Sequence, residues 1–146
     1  MNIDVLRKEI TNDEGVKYCI YLDHLGLPTF GIGHLIKESD PEYGQPVDTP
    51  VSTERVNSCF ETDIQTVLDE CNKLYDDFYE LPEEVQHIIA NMMFNMGYPR
   101  LSKFTGMKAA VDARDWNRAA DEMVDSRWYT QVTRRAERLV NRMRSI

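Results

Sequence analysis

The densest group of reactive side chains in this 146-residue sequence lies between Glu14 and His34, where the local pattern changes from a helix end to a β-hairpin. Glu14 follows the first expected helix, Asp23 ends the first expected strand and Thr29 begins the second. A folded hairpin can bring all three to one rim. Two carboxylates and a hydroxyl on one rim suit hydrolysis of a glycosidic bond. One carboxyl must hold a proton to give to the leaving oxygen, while the other, ionised, assists a water or attacks the anomeric carbon. Spacing alone also admits a plainer reading, with Glu14 a post-helix acid and Asp23 a turn former.

The elements that must position these groups can be read from periodicity and punctuation. Residues 4–12 read as a short helix with Val5, Leu6 and Ile10 at helical spacing, Asp4 as a candidate N-cap and Gly15 as its stop. The β-branched and aromatic run 16–22, the turn-like 23–28 and the extended 29–33 read as a β-hairpin. Pro41, Gly44, Pro46 and Pro50 make 37–50 a loop. Ser52 caps a helix of about twenty residues with Val56, Phe60, Ile64, Val67, Leu68 and Cys71 along one face. Beyond Leu81-Pro82 the pattern is helical throughout. A helix over 85–96 carries a methionine cluster that reads as core, amphipathic stretches cover 103–112 and 116–124, and a last helix starts near Thr133. The expected architecture is α+β and one domain over 1–146: an N-terminal hairpin lobe (about 1–51), a long connecting helix (about 52–74) and a helical C-terminal lobe (about 75–146).

Composition narrows the class. Hydrophobic residues at 42% and aromatics at 10% supply a core and exclude a disordered chain. The start of the chain lacks a signal-peptide pattern and no run is long enough for a spanning helix, so cytosolic synthesis without membrane insertion is expected. Cys19, Cys59 and Cys71 read as free thiols, and neither they nor the three histidines show zinc-ligand spacing, so no metal and no cofactor are expected. Net charge is −8, yet residues 127–146 hold six arginines against the one acid Glu137. The acidic bulk argues against nucleic-acid binding, and the basic tail is either a solvated helix face or a local attraction for an anion.

Three blocks carry a resemblance. Glu14, eight intervening residues, Asp23, five more, and then Thr29-Phe30-Gly31-Ile32-Gly33-His34 resemble the Glu-x8-Asp-x5-Thr signature and Gly-Ile-Gly-His strand of the phage-type lysozymes, glycoside hydrolase family 24. Asn91-Met92-Met93-Phe94-Asn95-Met96-Gly97 resembles that family's core helix. Ser126-Arg127-Trp128-Tyr129-Thr130-Gln131 with Arg135-Ala136-Glu137-Arg138 resembles its C-terminal block.

The resemblance implies a lysozyme-like fold with the active cleft between lobes, and cleavage of the β-1,4 bond between N-acetylmuramic acid and N-acetylglucosamine in bacterial peptidoglycan. It implies Glu14 as general acid, Asp23 as the carboxylate acting on water and Thr29 as the hydroxyl placing that water. An inverting reaction follows, with carboxyl groups roughly 6.5–9.5 Å apart. Arg135 matches an arginine approaching the catalytic glutamate, Leu35 and Phe94 match substrate contacts, and His34 with Asp63 matches a structural ion pair. The implied role is an endolysin, a monomer held in the host cytoplasm until a holin opens the membrane. A virion-associated lysozyme and a silent wall-binding module are the alternatives. Three departures from the family's pattern are visible: the net charge of −8 is the largest, the stretch from His34 to Ser52 is shorter than in its longer members, and Met107 and Glu122 stand where the family has serine and asparagine.

Overall fold

The computed structural model describes residues 1–146. It forms two compact units, one over Arg7–Thr66 and one made of Met1–Leu6 with Val67–Ile146.

Helix α1 (Ile3–Glu14), whose residues up to Leu6 count with the second unit and whose remainder counts with the first, buries Leu6 and Ile10 completely on its inner face. Its cap is Asn2, whose side-chain oxygen accepts from the Val5 N–H at 3.3 Å, and not Asp4, which lies inside the first turn. Both residue types cap well, and Asn2 stands at the spacing that reaches an unpaired N–H of the first turn. Gly15 closes the helix, its N–H donating to Thr11 O at 2.8 Å.

The expected hairpin is a three-stranded antiparallel sheet of β1 (Lys17–Leu22), β2 (Pro28–Gly31) and β3 (His34–Leu35), in that order. Tyr21 pairs with Thr29, and Thr29 pairs with Leu35. The extended run expected over 29–33 stops at Gly31 because Gly31 and Gly33 both take left-handed conformations, with φ of 64° and 62°. Those two residues fold the chain back on itself, a conformation that glycine adopts without the steric penalty of a side chain. The outer edge of β1 is covered by the end of the proline-rich loop, through Ile20 N–H to Thr49 O and Val51 N–H to Tyr18 O, both 2.9 Å. Edge amides are thereby paired.

The long helix α2 (Thr53–Leu74) starts where the cap signal placed it, with Ser52 Oγ accepting from Arg55 N–H at 3.1 Å. Val56, Cys59, Phe60 and Ile64 are buried along its inner face. Arg55 also clips the loop to the helix: its guanidinium donates to both Glu42 oxygens at 3.0 Å and to Asp40 Oδ1 at 3.3 Å. That contact holds the Glu42 carboxyl below its usual range. A two-pronged fork onto carboxylates with only 11% and 15% of their side chains exposed should be worth more than a surface ion pair. Arg55→Ala is expected to lower unfolding stability by about 2–3 kcal/mol in urea denaturation. Arg55→Lys should recover only part of this, because an ammonium lacks the fork. A loss below about 0.5 kcal/mol, typical of exposed pairs, would refute the clip.

The second unit is helical. A 3₁₀ turn (Phe78–Glu80) leads to α3 (Glu83–Met96), α4 (Tyr98–Leu101), α5 (Thr105–Asp112), α6 (Trp116–Val124), α7 (Arg127–Gln131) and α8 (Thr133–Arg144). Residues around the whole circumference of α3 are buried, Met92, Met93 and Met96 among them, so the methionine cluster is core. Asp115 caps α6 and Ser126 caps α7, each by accepting a backbone N–H. Ala136, Leu139, Val140 and Met143 form the buried stripe of α8. No helix is long and apolar enough to cross a membrane.

Candidate active site

Glu14 is the last residue of α1 and is half-buried. Its carboxyl lies directly over the backbone of Gly33: a methyl group built on Gly33 would stand 2.7 Å from Glu14 Oε1. The turn between β2 and β3 is therefore the floor against which this side chain rests.

Asp23 follows β1 and organises the turn it sits in. Its Oδ1 accepts from the Leu25 and Leu27 N–H groups, both at 2.9 Å, and its own N–H donates to Leu27 O at 3.0 Å. Such a side-chain-to-backbone closure is what suits aspartate to turns. One carboxylate oxygen is committed to structure, and Oδ2 remains for a solvent molecule. The plainer reading of Asp23 as a turn former and the chemical one are thus compatible, one for each oxygen.

Thr29, only 3% exposed, donates its hydroxyl proton to Leu27 O at 2.9 Å. With its proton so used, Oγ1 is left as an acceptor, able to take a hydrogen from a neighbouring water and turn that water's lone pair elsewhere. Tyr21, cross-strand from Thr29, reports on both acids: burial pushes its phenol up, and the negative charges of Glu14 and Asp23 push it further. The Lys17 ammonium sits 4.4 Å from the centre of the same ring. Leu35, 47% exposed, is the other cross-strand partner of Thr29 and presents an apolar side chain at this rim.

His34 is buried between two acids, with Nδ1 2.7 Å from Asp63 Oδ2 and Nε2 2.8 Å from Asp40 Oδ2. Burial alone would lower its pKa, but the contacts with Asp63, Cys59 and Asp40 outweigh it and raise the pKa to about 10. The imidazole is thus a cation in the folded chain at neutral pH. Because the folded value lies above the ordinary 6.5, the stabilisation is complete below pH 6.5 and disappears between there and about pH 10. The stability difference between wild type and His34→Gln, measured by urea denaturation with a chelator present, should shrink across that window by roughly 3 kcal/mol. A difference unchanged from pH 6 to pH 10 would remove the charged pair as its source.

Phe94 and Arg135 belong to the helical unit. Phe94 lies half-buried on α3, and Arg135 on α8 donates through Nε to the buried Asn91 Oδ1 at 2.8 Å and through Nη2 to Asn91 O at 3.4 Å. A cavity of about 470 Å³ in this unit is lined by Met96, Phe104, Met107 and Trp128, with Arg100 and Glu122 among its charged walls. The Glu122 carboxylate is packed against Gly106.

The structure therefore gathers Glu14, Asp23, Thr29, Leu35, His34 and Asp63 within one unit and sets Phe94 and Arg135 on neighbouring helices of the other. Sequence reading did not find Gly33 as the floor beneath Glu14, Asp40 as the second partner of His34, or Asn91 as the anchor of Arg135. Asn91 carried a signal, a polar residue within an apolar helical repeat, since buried amides need partners.

Residues 11–145 match the phage lysozyme family. The chain belongs to that family. This lysozyme-family chain is 28% identical over 158 aligned positions to probable T4-type lysozyme 2 of Dictyostelium discoideum, covering 95% of the chain and 93% of that protein. It is 30% identical to the pre-baseplate central spike protein Gp5 of Enterobacteria phage T4, over 89% of the chain but 26% of the spike protein. It is also 30% identical to the peptidoglycan hydrolase gp36 of Pseudomonas phage phiKMV, over 94% of the chain and 15% of that protein.

Proposed function

We propose that this chain is an endolysin that hydrolyses the β-1,4 bond between N-acetylmuramic acid and N-acetylglucosamine in bacterial peptidoglycan, with inversion at the anomeric carbon. Glu14 gives its proton to the glycosidic oxygen as the bond to the anomeric carbon breaks. A water held by Asp23 Oδ2 and Thr29 Oγ1 adds from the opposite face, and Asp23 takes the proton it loses. The product sugar keeps a reducing end, and Glu14 regains its proton from solvent. His34 with Asp63 braces the turn that carries Gly33, and Leu35 and Phe94 contact the glycan. Arg135 is held within the helical unit by Asn91. No cofactor enters this scheme.

The observation that carries the reading is the division of labour on the hairpin: one oxygen of Asp23 and the proton of Thr29 are spent on the turn, and the remaining oxygen and lone pair suit one water. Family membership and the peptidoglycan-hydrolase name of a relative support the substrate. In this role the protein reaches the wall as a monomer after a separate holin has opened the membrane.

The test is to digest purified Gram-negative peptidoglycan and identify the new ends by mass spectrometry. Reducing muramic-acid ends, with the α-anomer appearing first in a time-resolved NMR spectrum, are expected. Anhydro ends would make the chain a lytic transglycosylase, and wall binding without fragments would make it a silent binding module.

A second reading is favoured by two relatives: the matches to a spike protein and to a hydrolase several times longer suggest the same chemistry built into a virion to open the wall at infection. Finding the chain in purified particles, rather than free in the infected cell, would decide for it.

A further inference from the structure

Where β3 meets α2, a nitrogen, a sulfur and a carboxylate oxygen converge. Cys59 and Asp63 stand one turn apart on α2 and His34 reaches them from β3, with their ligand atoms all within 4.8 Å of one another. Nδ1 of His34 is 2.7 Å from Asp63 Oδ2, and Cys59 Sγ is 4.0 Å from that same oxygen. We propose that His34, Cys59 and Asp63 form a site for one zinc-class divalent cation, with water as the fourth ligand.

The donor set is the first reason. Imidazole, thiolate and carboxylate together suit a borderline cation in tetrahedral geometry and suit magnesium or calcium poorly. Bond lengths of zinc sites separate neighbouring donors by roughly 3.3–3.6 Å. The Nδ1–Oδ2 contact must open and the Sγ–Oδ2 contact close, each by about half an ångström, and the separation of Nδ1 from Sγ, within 4.8 Å, must come down to the same range, which rotation of the three side chains about their torsions would have to supply.

The surroundings of the imidazole are the second reason. A metal-bound histidine is commonly oriented by a carboxylate on its other ring nitrogen, and here Nε2 meets Asp40 Oδ2 at 2.8 Å. Asp40 is itself fixed by the Lys37 N–H at 2.8 Å and by Arg55 Nη2 at 3.3 Å. The ring is thus held with Nδ1 aimed at Cys59 and Asp63. His34 and Cys59 are buried, while 19% of the Asp63 side chain is exposed, which gives a cation and its water a way in. Coordination displaces the proton between Nδ1 and Asp63 and the proton of the thiol, both to solvent.

Cobalt(II) is the probe, added to the intact chain after chelator treatment. One equivalent should bind with the strong visible bands of a four-coordinate ion and a sulfur-to-cobalt charge-transfer absorption, and zinc should abolish both. Cys59→Ala should remove the charge-transfer absorption, and Cys19→Ser should leave it intact. Asp40→Asn should weaken cobalt binding at least tenfold. The proposal fails if wild type shows no charge-transfer absorption in about tenfold excess cobalt, if the absorption survives Cys59→Ala, or if Asp40→Asn leaves affinity unchanged. Should Cys59→Ala not fold by circular dichroism, the wild-type and Cys19→Ser titrations still decide.

Discussion

Glu14→Gln is expected to reduce peptidoglycan hydrolysis by 10²–10⁴-fold or more while leaving the folded structure and wall binding in place. Glutamine keeps the length and shape of the side chain that lies over Gly33, so packing at the end of α1 is preserved. What it lacks is an acidic proton. In the proposed mechanism the leaving oxygen must then depart as an alkoxide, and a water positioned by Asp23 and Thr29 would have no activated bond to attack. The variant should therefore still sediment with insoluble peptidoglycan and unfold in urea within about 1 kcal/mol of wild type. Release of fragments near the wild-type rate would take Glu14 out of the mechanism. A loss of both binding and folding would make it a structural residue.

Gly33→Ala should separate the demands of the fold from those of the chemistry. Gly33 has φ of 62°, where an alanine costs about 1–2 kcal/mol, and its new methyl would meet Glu14 Oε1 at 2.7 Å, Cδ at 3.0 Å and Cγ at 3.2 Å. The obstructed atoms are the far end of a flexible side chain, so the fold can yield by swinging the carboxyl aside. If Glu14 is the general acid proposed above, the reaction cannot yield in the same way, because displacing a catalytic group by about 1 Å costs on the order of 10²-fold in rate. We expect a modest fall in stability with a loss of kcat near 10²-fold. Gly44→Ala is the control: Gly44 has φ of 82° and nothing within 4 Å of a built methyl, so it should show the strain alone and retain activity. Equal activity in the two variants would deny Gly33 its part in placing Glu14.

Much of the architecture was determined by the sequence alone, because its signals are local. Ser52 at the start of α2, the apolar stripes of α3, α6 and α8, and the turn chemistry around Asp23 all act over a few residues, and the Glu14, Asp23 and Thr29 spacing places them at element ends. Local signals were weaker where two neighbours compete, as Asn2 and Asp4 do for the cap of α1, and where an element is as short as α4, α7 or β3. Only the tertiary structure decided what meets across distance in the chain. Gly33 lies in sequence within the expected extended run 29–33, and its place beneath Glu14 depends on how α1 packs on the sheet. His34 could be paired in advance with Asp63, but its second carboxylate, Asp40, comes from a loop whose path is set by Arg55. Cys59 and Asp63 share a helix face, yet they become a candidate ligand pair only when β3 brings an imidazole to them. Propensity and capping depend on neighbours along the chain, whereas ion pairs, ligand sets and steric floors depend on distances that exist only after the chain has folded.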